Sequence, residues 1–161
     1  MPSKIIIIFF LFFLYPTIIK SQCNFTAGRG AVNFGQINPL QNAPISNISH
    51  LLTVSCNGVS VYQYAFKLSA GGDGNYGPYR HMIHTNNISK LNYNIYMDPQ
   101  RTLIWGDGTS GTAISTGNNP MGGCQQPFPC NFQAYGFIPL PQLNAKSGVY
   151  SATITATFEY N

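Results

Sequence analysis

Tyr150-Ser151-Ala152-Thr153-Ile154-Thr155-Ala156-Thr157-Phe158-Glu159-Tyr160 alternates an apolar or aromatic residue with a hydroxyl-bearing or charged one along its whole length. Successive side chains of a strand point to opposite faces, so this period of two makes one apolar face and one polar face. A strand reaching the last residue leaves no later sequence to pair with it. Its far edge takes either an earlier strand of the same chain or a strand from another molecule, because an unpaired edge is a template for strand addition.

The rest of the chain speaks the same language. No window of a dozen residues keeps a 3.6-residue apolar period, and Pro and Gly recur throughout. Apolar or β-branched runs predict strands at Ala31–Phe34, Leu51–Cys56, Val61–Leu68, His81–His84, Leu91–Met97, Thr102–Trp105, Phe132–Ile138 and Val149–Tyr160. Turn clusters separate them, notably Ala70-Gly71-Gly72-Asp73-Gly74-Asn75 and Gly106-Asp107-Gly108-Thr109-Ser110-Gly111. Short strands at this spacing predict an all-β sandwich.

The first residues set the compartment. Lys4 precedes an apolar run from Ile5 to Ile19 that contains Pro16 and ends near the small residue Ser21. This is the pattern of an export signal over residues 1–21, and the run is shorter than the ~20 residues a bilayer-spanning helix needs. Cleavage near Ser21-Gln22 leaves a single domain over residues 22–161 with no membrane span. Without Lys4 and Lys20, scattered basic residues give a charge near +2, which makes no nucleic-acid footprint.

The four cysteines, Cys23, Cys56, Cys124 and Cys130, meet an oxidising space after export. Three pairings are open. Cys23 with Cys56 and Cys124 with Cys130 is preferred, because the short second segment carries Pro127 and Pro129 and reads as one closed loop.

Motifs that carry chemistry are sparse. His81 and His84 are three apart, which on a strand puts them on opposite faces, and no carboxylate or cysteine set completes a coordination sphere around them. Asp73 and Asp107 sit in Gly-Asp-Gly triplets that read as turns rather than calcium loops, with four acids in the whole chain. No nucleophile elbow or base-bearing motif appears, and Cys124 and Cys130 are too far apart for a Cys-x-x-Cys redox pair. The reading is a non-enzyme without a cofactor. Asn24, Asn47 and Asn87 begin glycosylation-type sequons at a frequency that chance explains. Trp105 reads as core, whereas Tyr76 and Tyr79, in a Gly-rich loop, are the candidates for exposed contact with a surface glycan.

Several motifs then occur in the order found in the spore coat protein U family, the group that includes subunits of archaic chaperone-usher pili. They are Cys23; Asn33-Phe34-Gly35-Gln36-Ile37; Leu52-Thr53-Val54-Ser55-Cys56; Leu91-Asn92-Tyr93-Asn94-Ile95-Tyr96-Met97-Asp98; Trp105-Gly106-Asp107-Gly108-Thr109; and Gly148-Val149-Tyr150-Ser151-Ala152-Thr153-Ile154. The resemblance covers essentially all of the chain beyond its signal. It implies an immunoglobulin-like β-sandwich lacking its last strand, which a periplasmic chaperone and then a neighbouring pilus subunit supply at an outer-membrane usher. Tyr150, Ala152, Ile154, Ala156, Phe158 and Tyr160 would line the strand-acceptor groove, with Ile154, Ala156 and Phe158 at its centre. Shaft subunits of such pili carry a donor segment ahead of the domain, whereas about one residue precedes Cys23 after cleavage. The expectation is a secreted structural or adhesive subunit that accepts a strand without an evident donor of its own. The alternative is a stand-alone glycan-binding adhesin module.

Overall fold

A computed structural model describes residues 22–26, 32–57, 61–124 and 129–160. The export signal, Ala31 and the Pro127 turn lie outside these. Among the described residues nine strands follow in chain order: β1 (Gln22–Thr26), β2 (Ile45–Asn57), β3 (Val61–Leu68), β4 (Arg80–His84), β5 (Lys90–Tyr96), β6 (Ser115–Gly123), β7 (Cys130–Ile138), β8 (Tyr150–Ser151) and β9 (Ala156–Tyr160). They form two antiparallel sheets, one ordered β1-β2-β7-β5-β4-β8 and the other β6-β3-β9.

Alternation sets which faces meet. On β7, Phe132, Ala134, Gly136 and Ile138 are buried while Asn131 and Gln133 are exposed. Phe132 of this inward set packs on β3, where Phe66 is fully buried, with ring centroids 4.5 Å from Phe132 and 5.1 Å from Trp105. Such edge-to-face pairs add to the burial of their own area. The indole N–H of Trp105 is not left unpaired, because it donates to the Phe66 carbonyl at 3.0 Å.

One disulfide lies within the larger sheet and the other ties the two sheets. Cys23 and Cys56 stand opposite each other in the β1–β2 ladder and are bonded, and Cys124 and Cys130 close the turn that carries the chain from β6 to β7. The Cys56 N–H donates to the Cys124 carbonyl at 2.6 Å, joining the two bridges.

Four strand expectations need correction. Val32–Phe34 forms no strand, although Val32 and Phe34 pack against the core. Thr102–Trp105 contributes only isolated bridges, Tyr96 with Ile104 and Trp105 with Ala113. The C-terminal stretch is not one strand: Tyr150–Ser151 pairs with β4 in the larger sheet and Ala156–Tyr160 with β3 in the smaller, so 152–155 crosses between them. The fourth correction is the appearance of β1, β6 and the first half of β2, which no apolar run announced.

Candidate functional site

The smaller sheet covers only part of the larger one. Where it ends, beside β9, a groove of about 980 Å³ opens between the layers. Its floor is the inner face of the larger sheet: Met82 from β4, Leu91, Tyr93 and Ile95 from β5, and Leu51 and Leu52 from β2. Adjacent residues of a strand normally point apart. Leu51 and Leu52 both reach the groove because the β2–β7 register shifts between His50 and Leu52, a bulge that re-aims a side chain.

One wall is the segment Val32–Ile37, which crosses β7 at Gly136. A Cβ there would run into the side chains of Val32 and Phe34, so only glycine permits this close approach. Asn47 Nδ2 donates to the Asn33 carbonyl and holds the same segment.

The other wall is the C-terminal stretch from Ala145 to Ala156. His84 braces it. The Asn86 N–H donates to His84 Nδ1 at 2.9 Å, so the ring proton sits on Nε2, which donates to the Ser147 carbonyl at 3.0 Å. The imidazole also meets the Tyr150 ring at 4.9 Å, and the Tyr150 hydroxyl donates to the Lys146 carbonyl at 2.9 Å.

Tyr150, Ala152, Ile154 and Ala156 therefore line the groove, as does their neighbour Val149. Phe158 and Tyr160 do not. Phe158 turns to the aromatic core beside Tyr64 and Phe132, and Tyr160 lies against Phe158. The crossing at 152–155 is the reason, because the residues beyond it belong to the smaller sheet.

Tyr93 is the polar exception on the apolar floor. It is 3 % exposed, and its hydroxyl has no hydrogen-bond partner among the described residues. Burial pushes its phenol up to about 12, with the Arg80 charge opposing and Asp73 adding, so the hydroxyl stays protonated at neutral pH. A Cβ built on Gly71 would stand 4.0 Å from that hydroxyl oxygen and 3.6 Å from the Thr153 carbonyl oxygen. The phenol thus ends beside the crossing between β8 and β9.

Tyr76 is a correction. It is 6 % exposed rather than displayed, its hydroxyl donates to the Leu68 carbonyl at 2.8 Å, and the Arg80 guanidinium stands 4.8 Å from its ring centroid. The Gly-rich loop folds it inward because a buried cation needs that ring. Tyr79 remains half-buried. Of the histidines, His81 pairs with Asp73, which Lys90 also approaches at 3.7 Å. Partial burial pushes the Asp73 carboxyl up, but the His81 hydrogen bond and charge, the Asn75 N–H and Lys90 outweigh it and hold it below its ordinary value. Among the described residues, no three His, Cys, Asp or Glu side chains gather as a metal-binding group.

A family model described as the Spore Coat Protein U domain matches residues 9–157. The chain belongs to the spore coat protein U domain family. A relative, "Protein U" of Myxococcus xanthus, is 31 % identical over 141 residues, covering 83 % of this chain and 74 % of that protein. This family member also matches a chain in the crystal structure of the CsuC-CsuE chaperone-tip adhesion subunit pre-assembly complex from archaic chaperone-usher Csu pili of Acinetobacter baumannii. There the TM-score is 0.53 and the identity 17 %, over 86 % of this chain and 40 % of that one. The chain thus spans less than half of that neighbour's length, and the likeness is one of fold: an immunoglobulin-like, all-β sandwich.

Proposed function

We propose that this spore coat protein U domain is a structural or adhesive subunit of a chaperone-usher pilus or surface coat, and that a β-strand from another polypeptide completes it. One observation carries the reading. The smaller sheet stops at β9 with no described strand beyond it, beside an open groove floored by apolar side chains of the larger sheet. Strand addition there would satisfy the free edge of β9 by main-chain hydrogen bonds, while alternate side chains of the incoming strand fill the groove. The similar crystal structure is that of a chaperone with a tip adhesion subunit, which supports a periplasmic chaperone as first occupant and a neighbouring subunit as second, passed on at an outer-membrane usher.

The same reading assigns residues 1–21 to export, 22–161 to the subunit domain, and the route to the periplasm and then the cell surface. It assigns no reaction: the groove floor is apolar apart from Tyr93, whose hydroxyl has no partner among the described residues. Expression of the exported domain without its chaperone is expected to yield aggregated or proteolysed material. A soluble, protease-resistant monomer obtained that way would contradict the strand-acceptor reading.

A further inference from the structure

We infer that the domain has a second binding site, a cavity of about 250 Å³ that takes one ring of a neutral sugar. It lies on the flank of the smaller sheet away from the groove, walled by β6 rather than β9, and so does not depend on strand addition.

Two features of the chain open it. Among the described residues β5 pairs with β7 only at 135–137, so β7 at 131–133 has β2 on one side and no ladder on the other. On β6, Ser115 and Gly117 stand opposite Phe66 and Tyr64, and neither is large enough to seal the space between the sheets. A Cβ on Gly117 would strike the Tyr64 ring, so the phenol end of Tyr64 lies over β6.

The lining has the chemistry of a sugar site. Trp105 and Phe132, both nearly buried, form the floor with Met97. Around them Asn131 and Gln133 are exposed, and Tyr64, Ser115 and Tyr135 partly so. The amides are held in place: Thr53 Oγ1 donates to Asn131 Oδ1 at 2.8 Å, and the Tyr135 hydroxyl donates to Gln133 Oε1 at 3.3 Å. Both amide NH₂ groups, and the hydroxyls of Tyr64 and Ser115, are left without a hydrogen-bond partner among the described residues. A sugar ring uses such a set fully, because its C–H face packs on aromatic rings while its hydroxyls accept from amides and exchange bonds with hydroxyls. No lining residue is charged, so a carboxylate, sulfate or phosphate would lose its water without gaining a counter-ion. The volume is below the roughly 300–1,000 Å³ of pockets that enclose drug-sized ligands, which limits the occupant to about one ring.

Isotope-edited NMR tests this on the oxidised mature chain, labelled alone and kept in complex with unlabelled chaperone where solubility requires it. The probes are glucose, galactose, mannose and N-acetylglucosamine, each as free sugar and as methyl glycoside, with N-acetylneuraminic acid as the anionic control. The chain has a single tryptophan, so its one indole N–H signal reports on the cavity floor. At least one neutral sugar is expected to shift that signal and the side-chain amides of Asn131 and Gln133 saturably. A glycoside that binds assigns the site to the end of a glycan, and binding of the free sugar alone assigns it to a free monosaccharide. Gln133→Met and Asn131→Leu, near-isosteres at exposed positions, are each expected to weaken binding about tenfold, the size of one hydrogen bond. No saturable shift with any neutral sugar, shifts confined to other parts of the domain, tighter binding of N-acetylneuraminic acid, or unchanged affinity in both variants overturns the inference. None of these outcomes bears on the strand-acceptor groove.

Discussion

Arg80 Nη1 donates to Asn94 Oδ1 at 2.8 Å, and both side chains are completely buried. The guanidinium also donates to the carbonyls of Ser69 and Trp105, so one cation gathers β4, β5, the end of β3 and the Trp105 bridge. Asn94 in turn donates to the Pro78 carbonyl at 3.2 Å. Burial lowers the Arg80 pKa from its ordinary value, with nearby tyrosines and Asp107 opposing.

Removing either partner strands the other in a water-free site. Arg80→Met, which also orphans two carbonyls, is expected to cost about 3 kcal/mol, and Asn94→Leu about 2 kcal/mol. Guanidinium unfolding of the disulfide-bonded chain measures both. A double variant less destabilised than the sum of the two would confirm that they act as one unit.

The bridge Cys23–Cys56 closes a long loop, with a sequence separation of 33, and holds β1, whose only ladder among the described residues is with β2. Replacing both cysteines by serine is expected to cost about 3 to 4 kcal/mol in the chain-entropy model, against about 2 for the six-residue separation of Cys124–Cys130. Equal losses for the two bridges would show that chain entropy does not govern this fold.

Alkaline stability follows from Tyr93. Its folded pKa of about 12 lies above its ordinary 10.0, so below pH 10 both states keep the proton and stability is complete. Between about 10 and 12 the unfolded chain ionises first, and stability falls by up to about 1.4 kcal/mol per pH unit from this group. Tyr93→Phe should flatten that part of the curve. A slope unchanged by the substitution would assign it to other tyrosines.

Ala152 is exposed and lines the groove. Ala152→Trp should fill the groove without disturbing the core, leaving stability within about 0.5 kcal/mol of the parent. Capture of a fluorescent synthetic peptide with valine at alternate positions should be lost. Undiminished capture by a folded variant would move the acceptor site elsewhere.

Gly148 lies at φ 146°, and a Cβ there would run into the imidazole of His84. Gly148→Val is expected to break the His84–Ser147 hydrogen bond and cost about 1 to 2 kcal/mol. Hydrogen exchange should quicken at 146–150, the groove wall, while β5 and β7 keep their protection.

Several strands of both sheets were legible because they carry their own signal. Val61–Leu68 was read with the bounds of β3, and β4, β5 and β7 lie within two residues of their apolar runs. β6 was not legible: Ser-Thr-Gly-Asn-Asn-Pro-Met-Gly-Gly is poor in β-formers, and it is a strand because β3 offers it an edge. Gly117 fits there since a Cβ would strike the Tyr64 ring. Of the six residues that the resemblance implied for a strand-acceptor groove, Tyr150, Ala152, Ile154 and Ala156 line the groove of this structure, whereas Phe158 and Tyr160 lie outside it, because the period of two cannot reveal a change of sheet.

By itself, the sequence determined that the chain would be all-β, with the polarity of each face set by alternation and four cysteines placed to be oxidised. Only the tertiary structure decided that the C-terminal stretch serves two sheets, that Tyr76 turns inward to Arg80, and that the Tyr93 phenol on an apolar floor finds no partner among the described residues. The physical reason is that alternation is written locally, one residue after the next. An open edge, a buried cation and an unpaired hydroxyl depend on which distant strands arrive beside them, and which do not.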